Sequence, residues 1–285
     1  MKPVAMTLTA LAIGFATASA MAADPAAPTL ATAPVRTLLS AAAMADPDPQ
    51  ALSSFSPMEV QDALVVPEGI MEFQGYSLYT YNPNTKTNQS TLLMDPTLKI
   101  GAFHHVQLDV TAPYTINPDT PNTGSSGVDG YYQFNDPTPY FPALAVQAGT
   151  TFTGYGPGKT SNSYFVRGLM TQWLGSDDHA PRLDINVGWT HVSTPPQGTR
   201  SDLWSFGVGY TQRLNDQTAF VADIVHDYLP VNNEAENFVD VGLRYVVGDG
   251  WTVSGAVGAG FAQQSPALRT LFSFRKTLGY SSYIA

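Results

Sequence analysis

The run Pro181-Arg182-Leu183-Asp184-Ile185-Asn186-Val187-Gly188-Trp189-Thr190 changes character at every residue. Leu183, Ile185, Val187 and Trp189 are bulky and apolar, while Asp184, Asn186, Gly188 and Thr190 are small or polar. A two-residue period is the mark of a β-strand, because successive side chains leave opposite faces. The same device returns downstream. Trp204, Phe206, Val208 and Tyr210 stand against Asp202, Ser205, Gly207, Gly209 and Thr211. Val239, Val241, Leu243, Tyr245 and Val247 stand against Asp240, Gly242 and Arg244, and Trp251, Val253, Val257, Ala259 and Phe261 against Thr252, Ser254, Ala256, Gly258 and Gly260. These segments run about twice the ~5–6 residues of an ordinary strand. Their length matches the ~9–11 residues of a tilted strand that crosses a bilayer with its apolar face outward. The expectation is an all-β chain: an up-and-down antiparallel transmembrane β-barrel.

The composition agrees. Of 285 residues, 13% are charged, about half the share of a soluble domain (roughly 25%). The formal charge of −10 argues against a nucleic-acid partner. Cysteine is absent, which removes disulfides, thiolate metal sites and a cysteine nucleophile. Nothing in the sequence calls for a metal or a cofactor.

Residues 1–22 read as a secretory signal, with Lys2 at its start, an apolar core from Val4 to Ala18 and the small-x-small site Ala20-Met21-Ala22. Residues 23–66 are rich in Ala, Pro and Ser and have two readings, a periplasmic leader or a plug folded back into the lumen. The barrel is expected over 67–278, with a tail at 279–285. Twelve strands are expected at 70–81, 90–100, 103–112, 127–134, 142–152, 163–174, 182–191, 200–213, 218–228, 237–247, 251–261 and 268–277. The joins alternate between longer, Asn/Thr/Pro-rich stretches and tighter ones at Gly101-Ala102, 214–217 and Gly248-Asp249-Gly250. Long loops on one side and short turns on the other are the outer-membrane pattern, and an even count puts both barrel ends on the periplasmic side.

Several motifs then support a family resemblance. They are Pro67-Glu68-Gly69-Ile70-Met71-Glu72, Lys99-Ile100-Gly101 leading to Val106-Gln107-Leu108-Asp109-Val110, and Pro113-Tyr114. Pro142-Ala143-Leu144-Ala145, Thr153-Gly154-Tyr155-Gly156 and Arg182-Leu183-Asp184-Ile185-Asn186-Val187-Gly188 complete the set. Over 67–278 the chain resembles the bacterial outer-membrane family named for meta-pathway phenol degradation, a distant relative of the hydrophobic-substrate channels typified by the long-chain fatty-acid transporter. The resemblance implies a non-enzymatic outer-membrane channel for small hydrophobic or aromatic solutes, in contact with outer-membrane lipid. It says nothing of oligomeric state.

Charges facing the lumen are the candidate solute path. On the alternation these are the acids Asp95, Asp109, Asp184, Asp202, Asp223 and Asp240, with the bases Lys99, Arg167, Arg244, Arg269 and Arg275. They have two readings, a salt-bridge network bracing the wall or a polar constriction that selects solutes. A second function class comes from His191-Val192-Ser193, which looks similar to the strand-end His and Ser of the outer-membrane phospholipase family. There Asn-Gly follows the Ser and a downstream Asn orients the His. Here Thr194-Pro195 follows, and Ser205 stands at the Asn spacing. A structural barrel without transport is the third reading.

Overall fold

The computed structural model describes residues 59–83, 90–118, 122–138, 140–155, 161–176, 180–231, 234–262 and 264–279. The expected signal at 1–22, leader residues 23–58 and tail residues 280–285 lie outside the described residues. Thirteen strands are present among those described: β1 (Ile70–Tyr81), β2 (Ser90–Phe103), β3 (Val106–Thr111), β4 (Tyr114–Ile116), β5 (Thr123–Gln133), β6 (Ala143–Tyr155) and β7 (Ser163–Trp173), then β8 (Arg182–Val192), β9 (Asp202–Arg213), β10 (Thr218–Tyr228), β11 (Ala235–Gly248), β12 (Trp251–Gly260) and β13 (Leu268–Gly279).

β3 and β4 both lie between β2 and β5. They form one stave, broken at Ala112-Pro113 because proline brings no N–H to the ladder. The wall therefore has twelve staves. Each is antiparallel to its neighbours, and β1 pairs with β13 from Ile70↔Gly279 to Tyr81↔Leu268. That last pairing closes the sheet, so no strand edge meets lipid.

β1 and β10 begin and end where the alternation predicts. One hairpin does not sit at its expected place. The tight join comes at His104-His105, beyond Gly101-Ala102, and β2 runs on to Phe103. A bulge between Gly101 and Phe103 absorbs the extra residue, and His105 takes the left-handed conformation, φ 63°. The two imidazoles stack at 3.9 Å instead of pointing to opposite faces of a strand. At the β11–β12 join, Gly248, Asp249 and Gly250 all have positive φ, as an Asp-Gly hairpin requires.

The barrel inverts a soluble core. Arg244, Asp240 and Ser273 are fully buried, whereas Val187, Val208, Val241 and Val257 stand open on the outer wall. Aromatics border this belt. Tyr164, Trp204 and Tyr228 mark the loop end, and Tyr132, Tyr245 and Trp251 the turn end. Such girdles sit at the two membrane interfaces. Val241 is 44% exposed in the middle of β11. Val241→Arg is expected to destabilise the folded barrel by about 2–4 kcal/mol, read as a shift in urea-induced unfolding in lipid vesicles, with Val241→Ala nearly silent.

Candidate functional site

The lumen is not empty. Residues 59–66 run inside the barrel in an irregular conformation, and Val60, Asp62 and Ala63 are buried there. The chain reaches them from β1 through Gly69 (φ 79°), whose N–H donates to the Gly101 carbonyl at 3.0 Å. The wall must be glycine at 101: a Cβ there would lie 1.9 Å from the Pro67 carbonyl oxygen. From that point the segment climbs toward the loop end, and wall side chains take its backbone N–H groups one at a time. Val66 donates to Gln107 Oε1 (2.7 Å) and Val65 to Gln133 Oε1 (3.2 Å). Ala63 donates to Thr171 Oγ1 (2.8 Å) and Gln61 to Asn186 Oδ1 (2.7 Å). Asn186 Nδ2 returns a bond to the Gln61 carbonyl at 2.6 Å. Near the top, Val60 packs into a recess made by Gly207 and Gly209, where a Cβ on Gly207 would come within 2.6 Å of it. A buried segment outside any ladder needs these bonds, because buried backbone groups are costly when unpaired. Amides and hydroxyls from β3, β5, β7 and β8 thus stand in for a neighbouring strand.

Charges on this segment complete two networks on the β8–β13 side. Arg182 bridges Asp184 (2.9 Å) and Asp62 (3.4 Å), and the Thr171 hydroxyl donates to Asp184 at 2.6 Å. Higher up, Arg269 bonds Glu59 at 2.8 Å and lies 3.5 Å from Asp240. Its guanidinium also stacks 3.5 Å from the Phe238 ring centroid. Arg275 is paired with Glu72 at 3.5 Å. Arg244 occupies the inner face of β11, opposite Ala219 and Ser254. Asp223 accepts the Val60 N–H at 3.5 Å and faces Asp240 across the ladder.

The other half of the lumen holds a cavity of about 400 Å³ between the segment and the inner faces of β1–β3 and β5–β7. Asp95, Lys99, Asp109 and Arg167 line it, together with Asp129 and Gln147. Across the ladder Glu72, Lys99, Asp109 and Asp129 form one row. Gln107 Nε2 donates to both oxygens of Asp109 (2.8 and 3.0 Å), and Gln147 Nε2 to Asp129 at 2.9 Å. The sequence reading overlooked Asp129, Gln107 and Gln147, although each shares the parity of an inward residue on its own strand. It had no means of finding Glu59 and Asp62.

Asp202 requires a correction. It points outward, not into the lumen, because position 202 shares the face of Trp204 and Phe206 under a two-residue period. On the outer rim its Oδ1 takes bonds from Trp189 Nε1 (3.1 Å) and pairs with His191 Nδ1 (3.0 Å), and Ser201 donates to Oδ2 (2.7 Å). His191 therefore has an orienting carboxylate that the spacing along the sequence does not show. Among the described residues, however, no hydrogen bond joins His191 to the Ser193 hydroxyl, and a serine nucleophile needs that contact. The Ser193 N–H is engaged by the Asn162 carbonyl at 2.9 Å, and the His191 ring stacks beside Trp189 at 6.0 Å. The cluster is built as part of the interfacial girdle.

No family model matches the chain, and no curated protein does. Among solved structures, an outer-membrane channel from Pseudomonas putida F1 superposes with a TM-score of 0.61 over 78% of this chain and 100% of that one, at 10% identity. The chain folds as an outer-membrane β-barrel. The monoaromatic hydrocarbon channel CymD (TM-score 0.45, 13% identity, 75% of this chain and 90% of that one) is also similar. So is the KdgM porin in complex with disordered oligogalacturonate (TM-score 0.45, 10% identity, 75% and 99%). At such identities the likeness is one of fold.

Proposed function

We propose that this protein is an outer-membrane channel for small solutes, and that the acidic cavity is a station on the route through it. The observation that carries this reading is the cavity of about 400 Å³ inside a closed, polar-lined barrel. Twelve staves enclose more cross-section than the eight whose side chains fill their own interior, and a lumen built only for rigidity has no reason to keep such a space. The lumen segment 59–66 is the constriction, since it fills part of the cross-section along the wall from Gln107 on β3 to Arg269 on β13. The small hydrophobic or aromatic solutes implied by the family resemblance belong to the same proposal. Leu93, Tyr131 and Phe165 offer them apolar contacts within the lining. The hydrolase reading is not adopted, because His191 and Ser193 do not meet.

Purified protein in planar bilayers is expected to give discrete conductance steps, and proteoliposomes to swell in small solutes while excluding large sugars. Silence in both assays would leave a structural barrel as the better description. In the same preparations Ser193→Ala should change neither conductance nor phospholipid turnover. Lipid hydrolysis abolished by that substitution would restore the enzymatic reading.

A further inference from the structure

The charges of the lumen are sorted by side. Arg182, Arg244, Arg269 and Arg275 stand on β8, β11 and β13, outside the cavity lining. Six carboxylates line the cavity. Glu59, Asp62 and Glu72 are held by Arg269, Arg182 and Arg275, which leaves Asp95, Asp109 and Asp129 facing it with two cations, Lys99 and Arg167. An acidic lining alone would be ordinary, but the hydrogen bonding adds a second and independent sign. Gln147 is only 4% exposed. It spends its Nε2 on Asp129, and its Oε1 has no hydrogen-bond partner among the described residues. Gln74 Oε1 and Asp95 Oδ1 are left over in the same way, and both residues line the same cavity. All three atoms are acceptors. No buried side-chain donor of the described lining is left over beside them. Buried acceptors without donors are costly, so a donor is missing at these three atoms. A wall that only needed bracing would pair Asp95, Asp109 and Asp129 with arginines, as Glu59, Asp62 and Glu72 are paired.

We propose that this cavity is a binding site for a small organic cation, an alkyl- or arylammonium whose N–H groups meet the unpaired acceptors around Asp95 and Gln147. The apolar part of such a solute lies against Leu93, Tyr131 and Phe165. The volume suits it, being in the range of small-molecule sites, ~300–1,000 Å³. The sorted charges add a field across the lumen that draws cations to the acidic side and drives anions from it. This deepens the channel reading and rests on it for how the solute arrives, but binding itself is measurable without transport.

The test is calorimetry on the full-length protein in detergent at low salt, with benzylammonium, benzyl alcohol and benzoate as probes. These share a ring and differ in charge and donors. Benzylammonium is expected to bind at least about tenfold more tightly than either of the others, the scale of one charge-assisted hydrogen bond. Asp95→Asn and Gln147→Leu are each expected to weaken it by about tenfold while leaving the weak benzyl alcohol binding unchanged. Equal binding of the three probes, preference for benzoate, or an Asp95→Asn protein that binds benzylammonium as before would overturn the proposal. If a variant fails to fold, the three-probe comparison on the unaltered protein decides alone. Selective binding without bilayer conductance would uphold the cation site and remove the channel. Conductance with no selectivity among the probes would uphold the channel and remove the site.

Discussion

Arg269→Ala is expected to destabilise the barrel by about 3–5 kcal/mol, the scale for stranding one member of a buried ion pair. Arg269 holds Glu59 at 2.8 Å and lies 3.5 Å from Asp240, a residue with no exposed surface. Asp240 and Asp223 face each other across the β10–β11 ladder, and like charges in that position repel. Arg269 is the cation that makes the arrangement tolerable, and Phe238 supplies a ring face for its guanidinium. Truncation would leave both carboxylates in place without it. The measurement is the fraction of heat-modified, slow-migrating band against urea concentration. Arg269→Ala combined with Asp240→Asn should recover part of the loss, because the second change removes one of the stranded charges. A single variant as stable as the parent would show that the network does not brace the wall.

Freeing the lumen of residues 59–66 is expected to raise single-channel conductance severalfold. The segment follows the inner wall from Gln107 on β3 to Arg269 on β13, and everything it occupies is cross-section that a solute cannot use. Two variants approach this differently. A secreted chain that starts at Pro67 removes the obstruction outright. It also removes one carboxylate each from Arg182 and Arg269, so lower stability should accompany the wider pore. Gly101→Leu is the gentler route. A Cβ at that position cannot coexist with the Pro67 carbonyl at 1.9 Å, so the segment must leave the wall while the Gly101↔Gln107 pairing of β2 and β3 persists. In both variants Gln107, Gln133, Thr171 and Asn186 would bond water in place of the segment, at little net cost in a wet lumen. Unchanged conductance in both would mean that the segment does not limit passage.

Much of this molecule is local in origin and therefore readable along the chain. Alternation in β1 and β10 marks both ends of each strand, because side-chain direction reverses at every residue whatever the strand pairs with. Gly248-Asp249-Gly250 announces its hairpin because the turn needs three residues that accept positive φ. The same parity puts Asp184, Asp240, Arg244, Arg269 and Arg275 on the inner face without any structure in hand. Asp202 was misplaced only because the parity was not carried through to the first residue of its strand. The hairpin at His104-His105 depended on a bulge in β2, and a bulge is settled by how two strands fit, not by either one.

Tertiary structure alone decided what the inner face does. The residues at 59–66 show no strand alternation, so Glu59 and Asp62 look like ordinary polar residues of a leader. They acquire roles only once twelve staves have closed and set Arg269, 210 residues away, and Arg182 opposite them. Which lumen charges pair and which face open space likewise depends on where that segment lies. It neutralises arginines on one side of the barrel and leaves acceptors unpaired on the other. An alternating pattern specifies which way a side chain points. What it meets there is a property of the closed barrel, because the contacts join residues from opposite ends of the chain.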